Sequence, residues 1–170
     1  MSNAMRNTVL AAALAVLAAV ALVALAGPAQ AAGKLEVKFV EPQQFRDAGR
    51  SAVEREHTLG LLAAHLGTLA QRLPEGQVLR VEVLDVDLAG ELRPARGNEL
   101  RVLRGGIDGP RLHLRWSLVE GGRTLRSGDE RLADPGLVPG RAFGPAKEGE
   151  LAYERQLLSG WFEEKVARAR

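Results

Sequence analysis

The chain contains no cysteine among its 170 residues. That absence excludes disulfides, thiolate metal sites and lipid attachment through an N-terminal cysteine. Aromatic residues make up only 4%, too few for the stacking platforms that hold single-stranded nucleic acid, so no nucleic-acid partner is expected. An excess of one charge is also missing: once Arg6 is set aside, 22 basic residues stand against 21 acidic ones. A general polyanion binder would be more lopsided. Lysine is scarce, with four against nineteen arginines. Arginine's planar fork suits phosphate and carboxylate groups better than a lysine ammonium does.

There is one long uncharged run, Val9 to Ala26. It follows Met5-Arg6-Asn7-Thr8 and precedes Gly27-Pro28 and the small-x-small site Ala29-Gln30-Ala31. A short basic start, an apolar stretch, a helix break and small residues are the pattern of a secretory signal. The expectation is a cloning scar over residues 1–4, a signal peptide over 5–31 cleaved after Ala31, and a single α+β domain over 32–170. A retained anchor is the competing reading, because the run approaches the ~20 residues a bilayer needs. No later stretch is long and apolar enough to span a membrane. The mature protein is expected in the periplasm, with no membrane span after signal cleavage.

Past that point the pattern alternates between two periods. "KLEVKFVEP" places Leu35, Val37 and Phe39 on one side and Glu36 and Lys38 on the other, a strand with one wet face. Ser51 with Glu54 forms a capping box. It opens a helix whose Leu59, Leu62, Leu66, Leu69 and Leu73 make one apolar stripe. Gln77 to about Leu88 is a second strand, "NELRVLR" a third and "PRLHLRWSLVE" a fourth. Gly121-Gly122 marks a hairpin leading into "RTLRSGDERL", a fifth. The stretch 133–149 is rich in Pro and Gly. The C-terminal segment is a helix with Tyr153, Leu157, Leu158, Trp161, Phe162 and Val166 on its apolar face. The order β-α-β-β-β-β-α, with strands greasy on one side, predicts a two-layer α+β sandwich: a mostly antiparallel sheet with helices on one face.

These segments resemble the uncharacterised envelope proteins of domain-of-unknown-function family 3016. The resemblance lies in "VKFVEPQQFRDAG", in "LPEGQVLRVEVLDVDLAGELRP", in the strand series from Leu100 to Asp134, and in "YERQLLSGWF". After Ala133-Asp134 the chain departs from it, with "PGLVPGRAFGP" where an aromatic or amide-bearing continuation is expected. The resemblance implies an exported Gram-negative envelope protein and supplies no activity.

The chemistry-bearing candidates are few. In "LRVEVLDVDLAGELRP", Asp85 and Asp87 fall on the side of β-strand residues Leu79, Val81 and Val83, about 6.5–7 Å apart. They are expected on the helix-packed face, where the core runs out, forming a candidate functional rim with Glu91. Three readings stand open. Asp87 holds the turn at Gly90 while Asp85 pairs with Arg101 or Arg111; the acids bind a hard cation with Asp47, Asp134 or Glu154; or they are a catalytic pair of a hydrolase. The spacing is no EF-hand, since the twelfth position is Arg96. His57, His65 and His113 form no HExxH, and the serines lack a GxSxG elbow. No metal site is identified, and no phosphate loop or other cofactor motif is present, so no cofactor is expected.

The second candidate is a run of arginines. Arg80, Arg101 and Arg115, with His113, form a candidate anion-binding stripe over the wet sheet face, against the alternative of an ordinary solvated face in an arginine-preferring protein. The leading expectation is a non-enzymatic binding or interaction module. Its partner would be an envelope protein or an anionic envelope component, and a structural subunit of an envelope complex is the further alternative.

Overall fold

A computed structural model describes residues 32–95, 98–102, 108–133 and 151–168, with 92–95 and 98–101 by their backbone alone. The expected cloning scar, the signal segment and the Pro/Gly-rich stretch from 134 onward lie outside the described residues. The elements are β1 (Lys34–Phe39), a 3₁₀ turn (Pro42–Gln44), α1 (Ala52–Ala70), β2 (Gln77–Asp87), β3 (Glu91–Ala95) and β4 (Asn98–Val102). β5 (Arg111–Glu120), β6 (Arg123–Ala133), α2 (Ala152–Trp161) and a π-helical turn (Phe162–Ala167) follow. The architecture is the expected α+β one.

The main sheet has four strands in the order β1-β2-β5-β6. β1 and β2 run parallel and the other neighbours antiparallel. The strand at 98–102 is not part of this sheet. It pairs with β3, which the alternation did not reveal, as a separate two-stranded ribbon. Pro94 lies within β3, and a proline inside a short polar run hides a strand because its missing N–H confines it to edges.

α1 begins as its sequence dictates. The Ser51 hydroxyl accepts from Glu54 N at 3.1 Å, and the Glu54 carboxylate reaches back to Ser51 N. Its Leu62, Leu66 and Leu69 join Leu158, Trp161, Phe162 and Val166 over one sheet face, against Leu79, Val81 and Val83 of β2 and Leu112, Leu114, Trp116 and Leu118 of β5. Each fully buried Leu, Val or Phe is worth about 1.5–3 kcal/mol relative to exposure. Both helices therefore cover one side, and the other side carries the more polar half of each strand, with Val78 and Val119 as apolar residues at one end. Trp116 and Trp161 meet edge to face at 5.7 Å, the sheet-to-helix role expected of the tryptophans.

Two further contacts shape the helix layer. His65 Nε2 lies 3.0 Å from both the Arg155 carbonyl and the Ser159 hydroxyl, tying α1 to α2. Burial lowers its pKa below the usual value, the Arg155 carbonyl opposes that shift, and the Arg155 charge adds to it. On the edge strand, Gly128 stands opposite Trp116. A Cβ there would meet Trp116 Nε1 at 2.7 Å and Glu130 Oε1 at 2.9 Å, so the indole occupies the space that a side chain would take.

Both contacts can be tested. Gly128→Ala is expected to lower stability by about 1–3 kcal/mol, because the core indole must shift; denaturant unfolding checks this, and an unchanged midpoint would refute the close approach. For His65, a folded pKa below the unfolded value of about 6.5 makes the neutral ring part of the fold. Its contribution is present above about pH 6.5 and is lost as pH falls from there toward the lowered folded value. His65→Gln should flatten the pH dependence of the melting temperature in that window, and an unchanged slope would count against the assignment.

Candidate functional site

The face without helices is assembled row by row from the strand registers. Directly opposed residues on neighbouring strands share a face. The first row reads Glu36, Arg80, Ser117, Ser127 across β1, β2, β5 and β6, and the second Lys38, Glu82, Arg115, Asp129. Along β2 the next positions would return Leu84 and Val86 to this face if the alternation held. It does not hold. Val83 opposes Leu114 and Asp85 opposes the next residue, His113, so Leu84 has no partner on β5. This β-bulge reverses the side-chain phase. Val86 and Leu88 turn into the core, and Asp85 and Asp87 turn out.

This corrects the expectation that the two acids sit on the helix-packed face. They lie on the wet face, in a third row of Asp85, His113 and Arg131 and a fourth of Asp87, Arg111 and Ala133. The chain after β1 follows the same bulge: Val40 N bonds Val83 O, the 3₁₀ turn loops away, and Asp47 re-pairs beside Asp87. The expected partner of Asp85 also changes. Asp85 Oδ1 accepts from Arg46 N at 2.9 Å, with the Arg46 guanidinium 3.9 Å from Oδ2. Arg46 also lies 3.6 Å from Asp87, and Arg111 bonds Asp87 at 3.4 Å. The turn at Gly90 is held instead by Glu154, a fully buried carboxylate that accepts from Ala89 N at 2.7 Å. Glu91 is exposed at the start of β3.

Arg80 and Arg115 do not form a basic stripe, because each faces acids across the strands. Arg80 Nε bonds Glu36 at 2.7 Å. Arg115 lies 3.4 Å from Glu82 and 3.5 Å from Asp129. His113 Nε2 meets Asp129 at 2.7 Å, and this bond, aided by the charges of Arg115 and Arg131, holds the Asp129 carboxyl below its ordinary range. The side chain of Arg101 lies outside the described residues. Arg80, Arg115 and His113 thus share one surface with Asp85 and Asp87, as a lattice of alternating sign.

Residues 33–164 match the family described as "Protein of unknown function (DUF3016)". The chain belongs to this family. No curated protein and no solved structure matches it. In this DUF3016 domain the charged lattice gives way at one end: Ser117 and Ser127 lie side by side, and the row beyond them reads Lys34, Val78, Val119 and Thr124. A depression of about 510 Å³ results, lined among others by Arg80, Glu82, Arg115 and Asp129. Among the described residues no three His, Asp or Glu side chains converge as a metal site, and Asp85, Asp87, Glu36, Glu82, Asp129 and Glu154 are each held by an arginine, a histidine or a backbone amide.

Arg46 and Asp129 escaped the sequence reading, Arg46 because it lies in a connection and Asp129 because its strand is polar on both faces. The bulge itself left a trace: after Leu79, Val81 and Val83 the apolar residues fall at Leu84, Val86 and Leu88, although Val78, also apolar and even-numbered, blurs the pattern.

Deleting Leu84 should therefore leave the facing intact, because with Val83 inward the next residue, Asp85, still points out and Val86 and Leu88 still point in. Deleting Val86 instead turns Asp87 toward the core and Leu88 toward water, at a cost of at least about 3 kcal/mol. Thermal melts of the two deletions check this, and equal loss in both would show that the facing does not follow the pairing phase.

Proposed function

We propose that this DUF3016 protein is exported, is cleaved after Ala31, and works in the periplasm as a non-enzymatic interaction module whose binding surface is the helix-free face of the sheet. The observation that carries the reading is the bulge, which brings Asp85 and Asp87 onto the same exposed face as Arg80, Arg115 and His113. Arg80 and Arg115 keep more than half of their side-chain surface exposed while still ion-paired. Alternating charge fixed in register recognises a surface of matching alternation and rejects one of uniform sign. That favours a protein partner over a polyanionic envelope component. No helix among the described residues is long and apolar enough to cross a membrane.

The hydrolase reading rests on Asp85 and Asp87 acting as an acid–base pair. Both carboxylates instead engage Arg46, and Asp87 engages Arg111 as well. A general base needs its lone pairs free to meet a substrate proton, so the arrangement supports the interaction reading better.

The test is site-specific photo-crosslinking in the envelope of the producing cell. A photoreactive residue at position 115 should give discrete adducts, whereas one at Glu56, exposed on α1, should not. Adducts of equal yield from both positions, or none from position 115, would sink the reading. Mass spectrometry of the exported protein, expected to begin at Ala32, checks the cleavage; recovery of an intact N-terminal segment would overturn it.

A further inference from the structure

Resting on that reading of the sheet face, we infer that its partner is a second copy of this chain, packed face to face about a two-fold axis that runs parallel to the strands between β2 and β5. Such an axis keeps each row of residues in place and reverses the strand order, so β1 of one copy lies over β6 of the other and β2 over β5.

The charges match under this operation. The second row, Lys38, Glu82, Arg115 and Asp129, alternates in sign and is turned into its own complement by reversal. Lys38 faces Asp129 of the second copy, and Glu82 faces its Arg115. In the third row Asp85 meets His113, and in the fourth Asp87 meets Arg111. In the first row Glu36 and Arg80 come over Ser127 and Ser117, so two long side chains of one copy stand above the uncharged depression of the other. Each contact occurs twice by symmetry, as an isologous interface requires.

The other in-plane axis, perpendicular to the strands, does not give this match. It would bring Arg80 over Asp87 and Asp129 over Arg131, but would set Glu82 over Asp85, Glu36 over Asp47 and Arg115 over His113, and so lacks the alternation across every strand that the first axis gives in the second row. Twisted sheets pack with their strands about 30° apart. The match is therefore tightest at Glu82 and Arg115, beside the axis, and is carried at the edges by the reach of Lys38.

The four strands at about 4.8 Å and the four charged rows at about 6.8 Å give a footprint on the order of 500 Å² per copy. A stable complex of standard size buries about 800 Å² per partner. The contact is polar and partly solvated, so the association is weak, reversible and sensitive to salt.

Lys38 and Asp129 provide the decisive test. They lie on the two edge strands, about 14 Å apart within one chain, and meet only between copies. Sedimentation velocity of the purified protein should show a monomer–dimer equilibrium at about 50 mM salt that weakens roughly tenfold by about 500 mM. Lys38→Glu and Asp129→Lys should each leave the protein folded and monomeric. An equimolar mixture of the two should restore the dimer. The carboxylate introduced at position 38 of one variant then faces the ammonium introduced at position 129 of the other, and the unchanged Asp129 faces the unchanged Lys38.

Should Asp129→Lys unfold through loss of its His113 bond, as circular dichroism would show, Glu82→Arg mixed with Arg115→Glu repeats the exchange at the centre of the face. A wild-type monomer at low salt and high concentration would overturn the self-pairing. So would folded single variants that dimerise like wild type, or a folded mixture that stays monomeric. In those cases adducts from position 115 to a different protein would leave the interaction reading standing, whereas an absence of adducts would remove both.

Discussion

β2 carries one residue, Leu84, that has no partner on β5, and the facing of every later side chain in the strand depends on it. Before the bulge Leu79, Val81 and Val83 enter the core; after it Val86 and Leu88 do. Because side chains alternate with a period of two, a single insertion exchanges the faces. The apolar surface under the helices stays continuous, and the acids of the same segment are delivered to water. β1 and the following connection accept the same irregularity, pairing with β2 up to Phe39, looping out, and returning at Asp47.

The helix layer and the open face place opposite demands on the sheet. Toward the helices, the strands present Leu, Val and Trp, and the edge strand makes room for Trp116 by having glycine at position 128. Toward solvent, neighbouring strands present opposite charges, so that carboxylates and guanidinium groups satisfy one another at 2.7–3.6 Å. Exposed pairs of this kind add little to stability, typically below about 1 kcal/mol each. What they fix is the position of charge, since a side chain held by its cross-strand neighbour offers a partner a defined pattern. That makes the face better suited to recognition than to catalysis, where a carboxylate must be free to exchange a proton.

Glu154 shows how buried polarity serves the same arrangement. It lies in the first turn of α2, almost without solvent contact, and accepts from the backbone of Ala89 just past the end of β2. An unpaired buried carboxylate would be costly, so the bond couples the register of α2 to the turn that follows the bulge. His65 makes the second tie, between the two helices.

The sequence alone determined the elements whose signals are local. The capping box at Ser51 and Glu54, the leucine stripe of α1, the alternation of β1 and β5 and the glycine pair at the hairpin each depend on residues within a few positions of one another. With them came the two layers and the wet face. The tertiary structure decided the rest, because it depends on which strand lies beside which. Pairing Asp85 with His113 and Asp87 with Arg111 requires the register of β2 on β5, and the reach of Arg46 to both acids requires a connection folded back 39 residues from Asp85. The phase change was written in the step from Leu79, Val81 and Val83 to Leu84, Val86 and Leu88, yet only the partner strand shows that Leu84 is the residue left over. A basic stripe was the natural reading of an arginine-rich segment, and the opposed carboxylates come from strands distant in sequence. Cross-strand neighbours are a property of the assembled sheet, and so is the pattern of charge it displays.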